Sequence, residues 1–287
     1  MSKAVPLNLV HLSGLGCTQT MKTDAMDRVR QVVVTLAAVF MIIGTLFGIG
    51  VIGTRVEESS GGSLSATATL LAPAVPAFSI WSVIYVGLVA YVIWQWLPAN
   101  TGSSRARRIG WLAAVSMVLN GAWLLVTQAG WLWVSVLVIL ALVATLGELV
   151  RRLGSDPSDR VADKIVVDGT FGLYLGWSAV ATAANITATL VASGVNPGGL
   201  VAELLGVAVV AVAAGIGVVL AVVYGGRWAV AAAMAWGLSW IAVGRLAVEP
   251  ESALVGGAAL AAALIVLGAA ALVRLRANRL APVHVGR

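Results

Sequence analysis

Eight apolar runs constrain this chain more than any other feature. They lie at 31–53, 75–97, 109–128, 131–150, 166–191, 200–223, 228–246 and 253–273. Each is close to the roughly 20 residues an α-helix needs to cross a bilayer. Backbone groups inside hydrocarbon must bond within their own segment, so such runs predict helices. The expected fold class is therefore all-α, a polytopic membrane helix bundle with about eight transmembrane helices. Only 10% of the residues are charged, against about 25% in a soluble domain. The connections 128–131, 192–199, 224–227 and 247–252 are short, which makes consecutive helices antiparallel neighbours. No internal repeat is visible.

A net charge of +6 could suggest nucleic acid as a partner. The distribution of the charges excludes it, because the basic residues sit between the apolar spans, where they set topology. With the N-terminus in the cytoplasm, sixteen of the eighteen Lys and Arg residues fall inside, and only Arg55 and Arg245 fall outside. This predicts a multi-pass protein integral to the inner membrane, with both termini cytoplasmic and the lipid bilayer as its surroundings. Residues 1–30 read as a disordered cytoplasmic tail and 276–287 as a basic one. The run 54–74 is a long outer connection rich in Ser, Thr, Gly and Ala, either a lid or a passive linker.

Several chemistries are excluded. The single Cys17 allows neither an intramolecular disulfide nor a multi-Cys metal site, and His11 and His284 lie in the tails. No nucleophile–base pair, metal cluster or phosphate loop is present, so ordinary hydrolytic or redox catalysis is not expected and no cofactor is required. Glu148 stands three residues from Arg151, which predicts a local ion pair in preference to a proton path. Trp94, Trp96, Trp111, Trp131, Trp133 and Trp228 lie at span ends and read as an interfacial aromatic belt. Gly44 and Gly48 permit close helix packing, either internally or across a homodimer seam.

Other polar and aromatic residues lie deeper. At about 100° per residue, Tyr174, Trp177, Ala181 and Asn185 share roughly an 80° arc of one helix face. An Asn inside a membrane helix is costly unless something hydrogen-bonds to it. Trp81 and Tyr85 on the second span, and Asn120 and Trp123 on the third, are also paired on single faces. The direction in which each span crosses places all three groups in the outer half, beneath the 54–74 connection. Asn120 and Asn185 serve either a ligand or interhelical bonding.

These residues resemble motifs of the translocator-protein family (TspO/MBR, the tryptophan-rich sensory proteins). Tyr174-x2-Trp177-x3-Ala181-Thr182-x2-Asn185 is similar to that family's fifth-helix signature, Asn120-x2-Trp123 to its third-helix motif, and Trp81-x3-Tyr85, after Pro73 and Pro76, to the start of its second helix. The resemblance covers about residues 31–192. It implies a five-helix TspO-like membrane domain there, followed by three extra transmembrane helices over 193–275. It also implies a pocket open toward the first loop that takes a hydrophobic small molecule, with porphyrin or haem as the expected ligand. Trp81, Tyr85, Asn120, Trp123, Tyr174, Trp177, Ala181 and Asn185 are the expected ligand-binding residues. The function implied is sensing or handling of that ligand, with secondary transport or light-dependent porphyrin breakdown as alternatives. Three positions depart from the family pattern. Phe78 stands three residues before Trp81 instead of four, Ser135 occupies a region that is often acidic, and the sterol-recognition segment after Asn185 is missing. Residues 200–287 are expected to be dispensable for the pocket, because every motif residue precedes position 186.

Overall fold

The computed structural model describes residues 10–280, with side chains from Ala25 to Arg279. It contains eight long helices: α1 (Val10–Gly48), α2 (Ile80–Trp96), α3 (Ser104–Gln128), α4 (Leu132–Gly154), α5 (Thr170–Ala192), α6 (Gly199–Val223), α7 (Trp228–Ala247) and α8 (Ala253–Leu280). There are no strands among the described residues, and all eight helices are long and apolar enough to cross a membrane. The expected polytopic helical bundle is the architecture observed. Two boundaries differ from the sequence reading. α1 is helical from Val10, inside the expected tail, and α8 continues to Leu280. The remainder of both expected tails, 1–9 and 281–287, lies outside the described residues.

Helix neighbours divide the bundle in two. α1 packs along α3, α3 along α4 and α4 along α5, while α2 touches α5 and α1 and so closes a five-helix ring. α7 packs on the outside of α5, α8 on α7, and α6 on α8, making a three-helix layer. Glycines permit two close helix approaches. A Cβ on Gly44 of α1 would lie 2.9 Å from the Cα of Gly121 on α3, and one on Gly176 of α5 would lie 2.2 Å from the carbonyl oxygen of Val230 on α7. Only residues without a Cβ allow these backbones to touch. Gly44 and Gly48 thus serve an internal α1–α3 contact.

Alternation of eight antiparallel spans puts 54–74, 128–131, 192–199 and 247–252 at one end, here the loop end, and the start of α1 and the end of α8 at the other, basic end. The basic end is tied by polar networks. Asp27 accepts hydrogen bonds from Arg30 (2.6 Å) and from Arg107 of α3. Gln31 donates to the Gln95 carbonyl of α2 at 2.6 Å. Asp27, Arg30 and Gln31 are all buried, so this stretch belongs to the packed bundle. Charges at that depth persist because they are paired. Val161–Asp163 and the π-helical turn Lys164–Gly169 lead directly into α5. Asp168 on that turn pairs with Arg105 and with Arg227, the latter at 2.6 Å, which joins ring to layer. Glu148 pairs with Arg151 and Arg152 on its own helix, as its spacing predicts.

The aromatic belt needs one correction. Trp96, Trp111, Trp131, Trp133 and Trp228 are exposed, but Trp94 is buried. Its indole N–H donates to Asp163 at 2.8 Å. Position near a helix end places a Trp at belt depth, but the helix face decides whether it meets lipid.

Candidate ligand pocket

The three motif-bearing helices of the ring converge at the loop end. Pro73 precedes, and Pro76 lies in the first positions of, a short 3-10 turn, Val75–Ser79, that delivers the chain into α2. Proline fixes the backbone there and lacks a donor that the first turn would leave unused. The turn projects Phe78, and the first turn of α2 projects Trp81. Trp81 stacks on Tyr85 with centroids 5.3 Å apart, and meets Tyr174 and Trp177 of α5 edge-on at 5.9 and 6.1 Å. Phe78 meets Trp177 edge-on at 5.9 Å. Offset and edge-on pairs are the favoured geometries for aromatic rings. The mutual facing that the sequence could not supply is therefore present.

The two amides are engaged. Tyr85 donates its hydroxyl to Asn120 Oδ1 at 3.2 Å, linking α2 to α3. Asn185 donates to Ser135 Oγ at 3.1 Å, and Ser135 donates to the Leu132 carbonyl, linking α5 to α4. Ser135, singled out as a departure from the acidic residue often found there, has become the partner of Asn185. Tyr174 is fully buried and donates to the Ser116 carbonyl at 3.1 Å. It supports the wall from behind.

Seven of the eight expected residues line three neighbouring cavities. A groove of about 320 Å³ between α1 and α2 is lined by Trp81, Tyr85 and Trp123, with Arg55 and Glu57 at its rim. A small cavity of about 30 Å³ is lined by Trp81, Asn120, Trp123, Trp177 and Ala181. A third, of about 60 Å³, lies under the 54–74 connection and is lined by Trp123, Trp177, Ala181 and Asn185 together with lid residues such as Leu64 and Thr69. Phe78 and Trp123 line all three cavities. Tyr174 is the expected residue that lines none of them.

Three donors stand out. Trp123 Nε1, Trp177 Nε1 and Ser178 Oγ are buried and have no hydrogen-bond partner among the described residues. All three residues line the same small cavity. Buried polar groups are normally paired. Three orphans on one aromatic cavity make a site suited to a ligand with acceptor atoms. Ser178 was missed in the sequence, and its only signal is its place beside Trp177.

The 54–74 connection covers this site and is fastened to the three-helix layer. Trp236 Nε1 donates to the Ala77 carbonyl at 2.9 Å, and the Ala74 N–H donates to the Trp240 carbonyl at 3.1 Å. Arg245, almost wholly buried, donates to the carbonyls of Ala66 (3.0 Å) and Pro250 (2.8 Å). Leu71 packs into the core of the layer. The cavities themselves are walled by residues no later than Ala188, but their cover is held from α7.

Fold and site together define an integral membrane helical bundle with an aromatic pocket under an anchored loop. A family model for TSPO-like proteins matches residues 31–272, and the chain belongs to that family. The match extends well beyond position 192 and takes in α6, α7 and most of α8. No curated protein and no solved structure matches the chain significantly. Membership supports ligand binding or sensing in the membrane as the general function.

Proposed function

We propose that the protein binds a flat, largely apolar ligand carrying hydrogen-bond acceptors, and that a tetrapyrrole such as porphyrin or haem is that ligand. The observation that carries this reading is the set of three unpartnered donors, Trp123 Nε1, Trp177 Nε1 and Ser178 Oγ, on one aromatic-lined cavity. Indole faces suit a planar ring, and N–H and O–H groups suit its polar substituents. The groove beside Trp81 and Tyr85 falls within the roughly 300–1,000 Å³ typical of ligand pockets, and Phe78 and Trp123 border both it and the two small cavities. The ligand enters and leaves as cargo or signal, and no resident cofactor is needed. The protein acts as its sensor or handler, in the inner membrane, with both termini cytoplasmic and the lid outside.

The test is a titration panel on the purified full chain, with tryptophan quenching as readout. Protoporphyrin and haem should bind saturably, and a sterol and an unrelated amphiphile should not. Equal quenching by all four would overturn the reading. A periplasm-active reporter fused after Arg287 would overturn the topology.

A further inference from the structure

A larger cavity at the loop end lies outside the aromatic pocket. It sits between α5 and α6 and has a volume of about 620 Å³. Its origin is in the packing. α6 turns its small residues toward α8, where a Cβ on Gly206 would lie 2.9 Å from Val255 and one on Gly217 would lie 2.4 Å from Val266. α5 turns Gly172 and Gly176 toward α7. Both close-packing faces are thereby used, and α5 and α6 meet only loosely.

The walls are mostly aliphatic, with Leu190 and Val191 from α5, Leu205 and Val209 from α6, and Leu70 from the lid. Two carboxylates line the cavity as well, Glu203 near the start of α6 and Glu251 on the α7–α8 connection. Neither forms a salt bridge among the described residues, and no Lys or Arg lines the cavity. The nearby Arg245 is buried and committed to the carbonyls of Ala66 and Pro250. An apolar chamber with unpaired negative charge complements a positive head on an apolar tail.

We propose that this cavity is a binding site for an amphiphile with an ammonium head, which meets Glu203 and Glu251 while its tail lies along α5 and α6. The proposal is independent of what the aromatic pocket binds. The ammonium can come from a free alkylamine or from the ethanolamine head of a membrane lipid, which share this chemistry.

The test uses the full chain in a neutral maltoside detergent, with native mass spectrometry counting bound adducts. Dodecylammonium should bind saturably, and dodecyl sulfate should not. The double variant Glu203→Gln, Glu251→Gln should weaken the cation by about tenfold, as expected for loss of charge-assisted contacts. Ala202→Trp, which fills the cavity, should abolish binding. Equal uptake of the two detergents, or uptake of the cation unchanged in the double glutamine variant, would overturn the proposal. Competition of the cation by phosphatidylethanolamine, and not by phosphatidylglycerol, would identify the lipid as the source. Binding of the cation without such competition would identify a free amine.

Discussion

The ring α1–α5 and the layer α6–α8 are built from the same apolar alphabet in different sizes. The interior of the ring holds Tyr91, Phe171, Tyr174 and Trp177, all buried. The interior of the layer is largely alanine and valine, such as Ala213, Ala231, Ala259, Ala263 and Val266. Small residues let helices approach closely and leave little space between them. Large rings meet at edges, leave crevices, and carry N–H and O–H groups that need partners. The contrast assigns separate tasks. Under the proposed function the ring supplies the ligand chemistry, and the layer braces the ring, chiefly where it holds the lid through Trp236, Trp240 and Arg245.

The strongest way to break this comparison is to separate the two parts. Gly176→Leu would drive a Cβ toward the Val230 carbonyl, which is backbone and cannot rotate away. Overpacking of this kind costs about 1–3 kcal/mol, and the upper end is expected here. Thermal unfolding should fall markedly, and ligand binding should fall with it. A chain ending at Pro197 should behave likewise, because its lid would lose every anchor on α7. If either variant melted and bound as the parent does, ring and layer would be independent units. The sequence-based expectation that 200–287 is dispensable would then stand.

A smaller effect is expected at Arg245. Arg245→Met keeps the stem but removes two donors, leaving the Ala66 and Pro250 carbonyls without them. Losing such bonds costs about 1–2 kcal/mol, reduced here because a buried guanidinium is no longer desolvated. The diagnostic readout is local. Hydrogen exchange over 63–77 should quicken while α3 and α4 stay protected. Uniform quickening across the chain would show that Arg245 stabilises the whole bundle and does not strap the lid.

Within the ring, Trp177→Phe retains an aromatic face but deletes a donor that has no protein partner. The ligand-free protein therefore loses no hydrogen bond. Affinity for protoporphyrin should drop by roughly 1 kcal/mol, several-fold. Trp111→Phe is the control, since Trp111 is exposed on the outer face of α3. Equal affinities in the two variants would remove the indole donor from the site.

Sequence legibility followed the same division. Span number, all-α class and the three motif groups were readable because hydropathy and helical spacing act along one helix at a time. Contacts between helices were not. Trp94 lies at belt depth yet faces Asp163, and no spacing rule reports which face a neighbour covers. Arg245 counted only as an outward charge, although its role depends on carbonyls far away in sequence. Gly176 lies inside the fifth-helix motif and Gly172 two residues before it, and their value shows only once α7 is placed against them. The pairing of Ser135 with Asn185 was likewise out of reach, because fifty residues separate the partners.

The smallest effect is expected at that pair, and it sharpens what a buried polar group in the ring is for. Asn185→Leu removes both hydrogen-bond contacts of the amide with Ser135 Oγ, at 3.1 and 3.2 Å, but Ser135 keeps its own donation to the Leu132 carbonyl at 2.7 Å. No buried donor is left unpartnered, and the added apolar surface offsets part of the loss, so the cost should stay below about 1 kcal/mol. The double variant Asn185→Leu, Ser135→Ala removes both sides and should be closer still to neutral. Melting and ligand preference, measured together, separate the two roles open to Asn185. If the amide meets the ligand, preference among tetrapyrroles shifts while melting barely moves, because Asn185 also lines the cavity under the lid. If it serves only to join α4 to α5, melting falls in the single variant, recovers in the double, and preference stays fixed. The second pattern would leave Trp123, Trp177 and Ser178 as the polar side of the site and reduce Asn185 to ring architecture.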